Sequence, residues 1–270
     1  MKRALHDLVP PVMLRAARKW RGGIRFVGQY PTWSEARLRA SGYDDAAILD
    51  RVRKAAALAV ESGGEAYERD GTLIYVVDPR FPVLAALLDA ALAGHGNLRV
   101  VDFGGAMGST YYQSKRFLGS VTVCRWCVVE QPHYVRVARE EFENEELHFH
   151  ETVEECAAGG LPSIAVFSGV LQYLESPLDM LTKVARMGIS RIFIDRTPFV
   201  ADDVVTRLTV QRVPRSLGGG SYPAWLFNRD DLLSVLKPAY RMVFEFPAID
   251  GRIGCGRNAA EFKGMYFVRS

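Results

Sequence analysis

The segment Leu98–Ser109, with the sequence LRVVDFGGAMGS, constrains the fold of this 270-residue chain more than any other. The apolar residues up to Val101 predict a buried strand that ends at Asp102, and a helix can begin at Ser109. Glycine has no Cβ, so the turn between them lets a ligand approach the backbone closely. The helix would direct free N–H groups and its positive dipole end at that ligand. This order is typical of a nucleotide-like cofactor site, although an ordinary strand-to-helix turn has the same outline.

A second acidic residue follows about 25 residues later along the chain. The largely apolar run Val121–Val129 predicts a strand, and it ends at Glu130. A neighbouring strand that ends in an acid places a carboxylate beside the ribose hydroxyls of an adenosine-containing cofactor. Alternatively, Glu130 is an acid at a helix start, because Pro132 suits the first turn of a helix. Both interpretations can hold at once.

Strands and helices alternate along the middle of the chain. A predicted helix over Pro132–Glu143 precedes a third strand over Leu147–His150. A fourth strand over Ser163–Ser168 is followed by a helix from Pro177 to about Met187, and a fifth strand covers Arg191–Asp195. Such alternation predicts a parallel, doubly wound sheet with right-handed crossovers.

The pattern changes after the fifth predicted strand. A helix is predicted over Asp230–Leu236, and two strands over Tyr240–Phe246 and Phe262–Val268 have a long loop and no helix pattern between them. We therefore expect a closing antiparallel strand, so that the sheet has seven strands and is mostly parallel.

The chain resembles a known family at these motifs. Asp102–Gly108 fits the acid-x-G-x-G-x-G pattern of S-adenosylmethionine (SAM) methyltransferases, with Ala106 at the middle glycine. More narrowly, the chain is similar to a family of bacterial methyltransferases associated with surface-polysaccharide gene clusters. The blocks that carry the resemblance are VGQYPTWSEA (Val27–Ala36), YERD (Tyr67–Asp70), DFGGAMGS (Asp102–Ser109), VVEQPH (Val128–His133), LQYL (Leu171–Leu174), DRTPF (Asp195–Phe199) and SYPAW (Ser221–Trp225).

The resemblance implies the Rossmann-like class I methyltransferase fold, with SAM as the cofactor. The glycine turn, the acid after the second strand and the segment after the fourth strand carry over as cofactor residues. These are Phe103, Gly104, Gly105, Ala106, Gly108, Glu130, Gln131, Ser168, Gly169 and Val170. No catalytic base carries over, because the general fold has no fixed one.

The N-terminal third of the chain has a different organisation. Helical periodicity over Tyr43–Glu61 and Val83–Leu92 predicts a mostly helical cap over residues 1–96, with the methyltransferase domain over residues 97–270. Between these helices, Arg69 is expected to bind the SAM carboxylate as a bidentate fork, with a hydroxyl contact from Tyr67. The alternative is an internal salt bridge from Arg69 to a neighbouring acid.

The first 25 residues carry seven basic residues against one acid. A basic amphipathic segment can lie on an anionic membrane surface, and the alternative is a docked helix with a solvated basic face. The basic and acidic residues before the first proline pair leave no signal-peptide pattern. The expected location is the cytoplasm, or the inner face of its membrane under the first interpretation.

The candidate catalytic and acceptor residues follow the fourth and fifth strands, since ligands of open parallel sheets lie beyond their carboxyl ends. Asp195 is the candidate base, and its alternative role is a salt bridge with Arg196 or a turn cap. Tyr173 is a candidate acceptor contact or a packing residue. The substrate candidates are Arg196, Arg212, Tyr222 and Trp225, the last two in a predicted loop over Leu217–Trp225 where aromatic rings would suit sugars.

The four cysteines predict neither a disulfide framework nor a metal site. Cys124 and Cys127 share one predicted strand, where they point to opposite faces and make a poor chelate. Cys156 and Cys255 are isolated in the sequence. Buried cysteines of this kind fit a reducing compartment.

The sequence thus predicts a SAM-dependent enzyme that methylates a small-molecule or glycan acceptor, for example a surface-polysaccharide sugar. The alternatives are a catalytically silent SAM-binding subunit and a nicotinamide-dependent oxidoreductase. A net charge of +3 gives no reason to expect a nucleic-acid partner. The oligomeric state is left open.

Overall fold

A computed structural model of the chain describes residues 23–41, 45–75, 80–119, 121–214, 219–255 and 258–270. The strands are β1 (Arg25–Tyr30), β2 (Tyr67–Arg69), β3 (Thr72–Ile74), β4 (Asn97–Phe103), β5 (Thr122–Val129), β6 (Leu147–His150), β7 (Ile164–Ser168), β8 (Arg191–Phe199), β9 (Arg207–Arg212), β10 (Ser221–Leu226), β11 (Tyr240–Cys255) and β12 (Asn258–Arg269). The helices are α1 (Trp33–Arg39), α2 (Asp45–Glu61), α3 (Phe81–Ala93), α4 (Ser109–Lys115), α5 (Pro132–Glu141), α6 (Val153–Ala158), α7 (Pro177–Arg186) and α8 (Arg229–Leu236).

A seven-stranded sheet forms the centre of the fold, in the order β11-β12-β8-β7-β4-β5-β6. The pairs β4–β5, β4–β7, β5–β6 and β7–β8 are parallel, whereas β12 is antiparallel to both β8 and β11. The predicted fold class, a doubly wound and mostly parallel sheet of seven strands, is confirmed. The register pairs Phe103 with both Val129 and Phe167, so the carboxyl ends of the three central strands meet at one edge.

The two faces of this sheet bury separate hydrophobic cores. Val100 and Trp126 face a core that includes α3 and α5, whereas the next residue on each strand, Val101 and Cys127, faces a core with α6, α7 and α8. Since both faces are covered, the central strands are apolar without alternation. This is why their positions could be predicted from short apolar runs.

A separate three-stranded sheet has the order β1-β9-β10. Here the N-terminal strand pairs antiparallel with a strand that follows the fifth parallel strand, and Arg25 lies opposite Arg212. The prediction of a loop over Leu217–Trp225 is wrong from Ser221 onward, because that segment forms β10. Its alternate residues Ala224 and Leu226 are fully buried, and this burial outweighs the turn signal of the glycines before it.

The long loop expected between the last two strands is also absent from the described residues. β11 continues to Cys255 and β12 begins at Asn258, so the two strands form a long hairpin with an irregularity between Pro247 and Arg252. Pro247 and the glycines that follow it weaken the strand pattern in the sequence, although the paired backbone continues on either side of the irregularity.

Residues upstream of β4 form α1, α2, α3 and the short hairpin β2–β3, besides β1. The boundary at residue 97 stays a prediction, and α3 packs its residues Ala86, Leu87 and Ala90 into the same core as β4. The basic residues before residue 23 lie outside the described part, so their proposed membrane contact has no structural account. Within the described residues, no helix is long and apolar enough to cross a membrane.

Candidate functional site

The turn after β4 folds tightly against its neighbours. Gly104 has φ +72°, and a Cβ built there would lie 2.5 Å from Val170 Cγ2. A Cβ on Gly105 would lie 2.8 Å from the carboxylate of Asp102. Ala106, at the middle glycine of the motif, has φ +51°, a left-handed conformation that costs energy for a residue with a side chain. The turn can therefore pack directly against Val170 and Asp102 only because these two positions lack side chains.

Asp102 lies buried beneath this turn, with 1% of its surface exposed. Trp126 Nε1 donates to its Oδ2 at 3.3 Å. Burial raises the pKa of Asp102 to about 7, although hydrogen bonds from Trp126 and Thr110 act in the opposite direction. Asp102, the first acid of the glycine motif, therefore packs directly against the turn, and its raised pKa lies close to neutral pH.

Glu130 reaches the turn from the end of β5. Its Oε1 accepts a hydrogen bond from the backbone N–H of Ala106 at 3.3 Å, and its Oε2 accepts from that of Gln131 at 2.9 Å. Burial raises the pKa of this carboxyl above its ordinary value. Glu130 thus lies beside the glycine turn, as predicted, and at the start of α5. Its contact with a ribose stays a prediction.

The carboxyl end of β7, at Ser168, lies against Arg80, a residue that could not be recognised as part of the site from the sequence. Arg80 donates to Ser168 Oγ at 3.0 Å and forms an ion pair with Asp195, whose side chain is 7% exposed. Asp195 Oδ1 also accepts from the backbone N–H of Arg196 at 2.8 Å. Burial raises the pKa of Asp195, and the cation of Arg80 opposes that shift. The candidate base is therefore paired with an arginine 115 residues away in the chain.

Arg196, the candidate substrate residue next to it, is held between two carboxylates. Its guanidinium donates to Asp70 at 2.7 and 3.2 Å and to Asp250 at 3.0 Å. The two acids raise the pKa of Arg196 well above its ordinary value, against the effect of burial. The side chain links the β2–β3 turn to the long hairpin of β11, and its contact with substrate stays a prediction.

The β2–β3 hairpin brings Tyr67 and Arg69 to the edge of the site. Arg69 donates to the Tyr67 hydroxyl at 2.8 Å and lies over its ring, 5.1 Å from the centroid. Glu68 between them is 4% exposed and accepts from Gly71 N at 2.7 Å and from Ser109 Oγ. This carboxylate, which the sequence suggested only as a salt-bridge partner of Arg69, joins the hairpin to the start of α4.

Two residues predicted for catalysis and acceptor binding come together near β9. The Tyr173 hydroxyl donates to Gln211 Oε1 at 3.0 Å, and Gln211 Nε2 donates to the Tyr222 hydroxyl at 2.8 Å. The two tyrosine rings meet edge to face with centroids 5.1 Å apart. Burial raises the pKa of Tyr173, so its hydroxyl is a hydrogen-bond donor rather than a phenolate at neutral pH.

The other two substrate candidates have different surroundings. Trp225 donates from Nε1 to Leu174 O at 3.0 Å and stacks on Trp33 with centroids 6.5 Å apart. It therefore joins β10 to α1, which is a packing role. Arg212 lies exposed at the end of β9.

A cavity of about 120 Å³ lies where these groups converge. It is lined by Val52, Glu68, Arg69, Asp70, Arg80, Asp102, Gly104, Gly105, Ala106, Ser109, Thr110, Gln113, Ser168 and Arg196. A larger cavity of about 340 Å³ adjoins it between α2, α3 and α4, and shares Glu68, Arg80 and Gln113 with it. The smaller cavity thus lies between the glycine turn, the β2–β3 hairpin and the end of β7.

Cys156, which is isolated in the sequence, lies close to two other potential metal ligands in the fold. The thiols of Cys127 and Cys156 and a ring nitrogen of His150 all lie within 4.8 Å of one another. These residues come from β5, α6 and the end of β6, and their spacing in the sequence does not indicate this grouping.

No protein-family model matches the chain, and no curated protein matches it in sequence. Several solved structures match it in shape. One is the N-terminal domain of EvdMO1, crystallised in the presence of S-adenosylhomocysteine (SAH) and D-fucose. It is 17% identical, with 84% of this chain and 97% of that chain covered at a TM-score of 0.47. CalS10, an amino pentose methyltransferase from Micromonospora echinaspora with bound SAM, is 9% identical, with 72% and 92% covered and a TM-score of 0.45.

A third structure is the 1,6-didemethyltoxoflavin-N1-methyltransferase of Burkholderia thailandensis, with 1,6-didemethyltoxoflavin and S-adenosylhomocysteine bound. It is 16% identical, with 86% of this chain and 92% of that chain covered at a TM-score of 0.40. At these identities and scores, the likenesses carry no conclusion about the activity of this chain.

Proposed function

We propose that this chain is a SAM-dependent methyltransferase that acts on a small-molecule or glycan acceptor. The observation that carries the proposal is the glycine turn after β4 with the Glu130 carboxylate in contact with it. A sheet closed by an antiparallel strand supports the same cofactor, because the plain dinucleotide fold lacks that strand. The nicotinamide-dependent alternative is therefore disfavoured.

The residues of the small cavity and of the adjoining glycine turn fit the chemical groups of SAM. Glu130, which contacts the turn through Ala106 and does not line the cavity, offers carboxylate oxygens for the ribose hydroxyls. Gly104 and Gly105 line the cavity with backbone that carries no side chain. Arg80 and Arg69 are the candidate partners of the cofactor carboxylate, since both guanidinium groups line this cavity. When bound, SAM would supply an activated methyl group on its sulfonium. The chain's own contribution is to position the reactants and exclude water.

Asp195 is the candidate that accepts a proton from a hydroxyl acceptor. Its carboxylate is paired with Arg80 in this structure, which stabilises the ionised form and makes it a weaker base. If Arg80 binds the cofactor carboxylate, that pairing weakens and burial raises the basicity of Asp195. Tyr173, in the turn that follows β7, and Tyr222, on β10 of the small sheet, are proposed to bind the acceptor. A surface-polysaccharide sugar is the acceptor that we propose to test first.

Calorimetric titration with S-adenosylhomocysteine (SAH) tests the cofactor site. The full chain should bind SAH and not NAD, and the reverse result would favour an oxidoreductase. Arg80→Gln should weaken SAH binding and leave the binding of 5′-methylthioadenosine, which lacks the amino-acid portion, unchanged. An equal loss for both ligands would place Arg80 outside the carboxylate site.

Turnover of methyl-labelled SAM with cell-envelope sugars and lipid-linked glycans tests the reaction. Transfer of label to an acceptor supports an enzyme. SAH binding without transfer to any acceptor of these classes would favour the alternative of a catalytically silent SAM-binding subunit. We propose a cytoplasmic location because Cys127 and Cys156 are free thiols in the described part of the chain.

A further inference from the structure

A cluster of soft donor atoms lies on the face of the sheet covered by α6. Cys127 and Cys156 are 2% and 1% exposed, and both are free thiols. The side chain of His150, at the end of β6, is 16% exposed and completes the group. Their ligand atoms all lie within 4.8 Å of one another. In a tetrahedral zinc site, bond lengths of about 2.0–2.3 Å put donor atoms about 3.3–3.8 Å apart, so the ligand atoms need to approach one another by at most about 1–1.5 Å.

We propose that Cys127, His150 and Cys156 bind one divalent transition-metal ion, with zinc as the best match. Two thiolates and one imidazole are the soft and borderline donors that zinc prefers. On binding, both thiols release their protons to solvent, and the two thiolates then neutralise the charge of the ion. A water molecule would take the fourth position.

The surroundings of His150 fit a metal ligand. Its Nδ1 lies 3.6 Å from Glu155 Oε2, and its Nε2 lies 3.3 Å from the guanidinium of Arg125. A ligating histidine commonly turns its other ring nitrogen to a carboxylate, which fixes the tautomer and orients the ring. Glu155 is placed to act in this way through Nδ1, and Nε2 is then the nitrogen left for the metal.

Arg125 occupies the position that a cation would take. Its Nε lies 3.3 Å from Cys127 Sγ, and another nitrogen of the same guanidinium lies at His150 Nε2. The cluster thus already holds one positive charge between a sulfur and an imidazole. Metal binding requires this guanidinium to move away, so removal of Arg125 should strengthen metal binding.

The site would join three elements beside the glycine turn. Cys127 lies on β5 three residues before Glu130, and the backbone N–H of Glu130 donates to His150 O at 3.0 Å. A metal ion there would fix the carboxyl ends of β5 and β6 to α6. Binding of this ion does not depend on the identity of the proposed cofactor.

Metal analysis of the full-length chain, produced without a histidine tag, tests the proposal. We expect about one zinc ion per chain after gel filtration. Replacement by Co²⁺ should give a thiolate-to-cobalt charge-transfer band that is absent from Cys127→Ser and Cys156→Ser. Cys255→Ser, which changes a cysteine at the end of β11, is the matched control and should keep the band.

Two further variants keep the test valid if the serine variants do not fold. Glu155→Gln should lower zinc affinity about 10- to 100-fold, and Arg125→Met should keep or raise it, both measured by competition with a chromogenic chelator. Zinc below stoichiometric amounts in every preparation would overturn the proposal. So would a cobalt spectrum without the charge-transfer band, or a Cys127–Cys156 disulfide in the purified protein.

Discussion

Asp102 provides a quantitative test of the electrostatics beneath the glycine turn. The carboxyl group is buried, and its pKa is raised from 3.8 to about 7. The substitution Asp102→Asn keeps the shape of the side chain and removes the titration. Trp126 Nε1, which donates to the Asp102 carboxylate, can still donate to the amide oxygen. The difference between the two proteins in how stability depends on pH then measures the effect of the Asp102 charge.

The expected magnitude follows from linkage. A shift of about three pKa units corresponds to about 4 kcal/mol between the two protonation states. Because the folded pKa lies above the unfolded value, the contribution of Asp102 to stability is fully present below about pH 4 and is lost as pH rises through 7. When the pH rises from about 5 to about 8, the ionisation of Asp102 alone should lower the free energy of unfolding by about 2–3 kcal/mol.

Urea unfolding of the wild type and the variant at these two pH values measures the effect. Other groups titrate equally in both proteins, so the difference in pH dependence belongs to Asp102. The variant should lose about 2–3 kcal/mol less than the wild type on going to the higher pH. Parallel stability profiles in the two proteins would refute the raised pKa and the burial argument behind it.

Three further predictions concern the rest of the site. Glu130→Ala should weaken SAH binding at least about tenfold in calorimetry. The exposed control Glu154→Ala should leave SAH binding unchanged. An effect of Glu130→Ala below about twofold would mean that Glu130 is only an acid at a helix start. Arg80→Gln leaves the buried Asp195 carboxylate unpaired and should destabilise the fold by about 3 kcal/mol in urea unfolding; unchanged stability would show that the ion pair is absent in solution. Tyr173→Phe leaves Gln211 Oε1 without its donor and should cost about 1–3 kcal/mol by the same assay, with no loss if the buried network is not formed.

The parallel strands could be predicted because each contains an apolar run that stops at a polar residue. The runs stop at Asp102, one residue before the end of β4, and at Glu130, directly after β5, so both mark the carboxyl edge of the sheet. The same edge was where ligand contacts were expected, and the structure brings Glu130 and the glycine turn together there. Local sequence carries this information because burial on both faces leaves little choice of residue type.

Contacts between distant segments could not be predicted in the same way. Nothing near Arg80 in the sequence indicates Asp195, and β1 pairs with β9 across about 180 residues. β10 could not be predicted either, because Pro223 and the glycines before it are typical of a loop. The segment forms a strand because it pairs with β9. A one-dimensional pattern shows which face of an element is buried but not which element covers it.

The charged groups around the small cavity balance one another in this structure. Arg80 is paired with Asp195, and Arg196 is paired with Asp70 and Asp250. A buried charge is costly without a partner, so a ligand carboxylate that binds Arg80 or Arg196 must take the place of one of these acids rather than add a charge. Arg80 has the simpler exchange, since only one carboxylate holds it in an ion pair, whereas Arg196 is held by two. If the cofactor carboxylate binds Arg80 rather than Arg69, the candidate base and the cofactor contact share one guanidinium, and the loss of that partner favours the protonated form of Asp195.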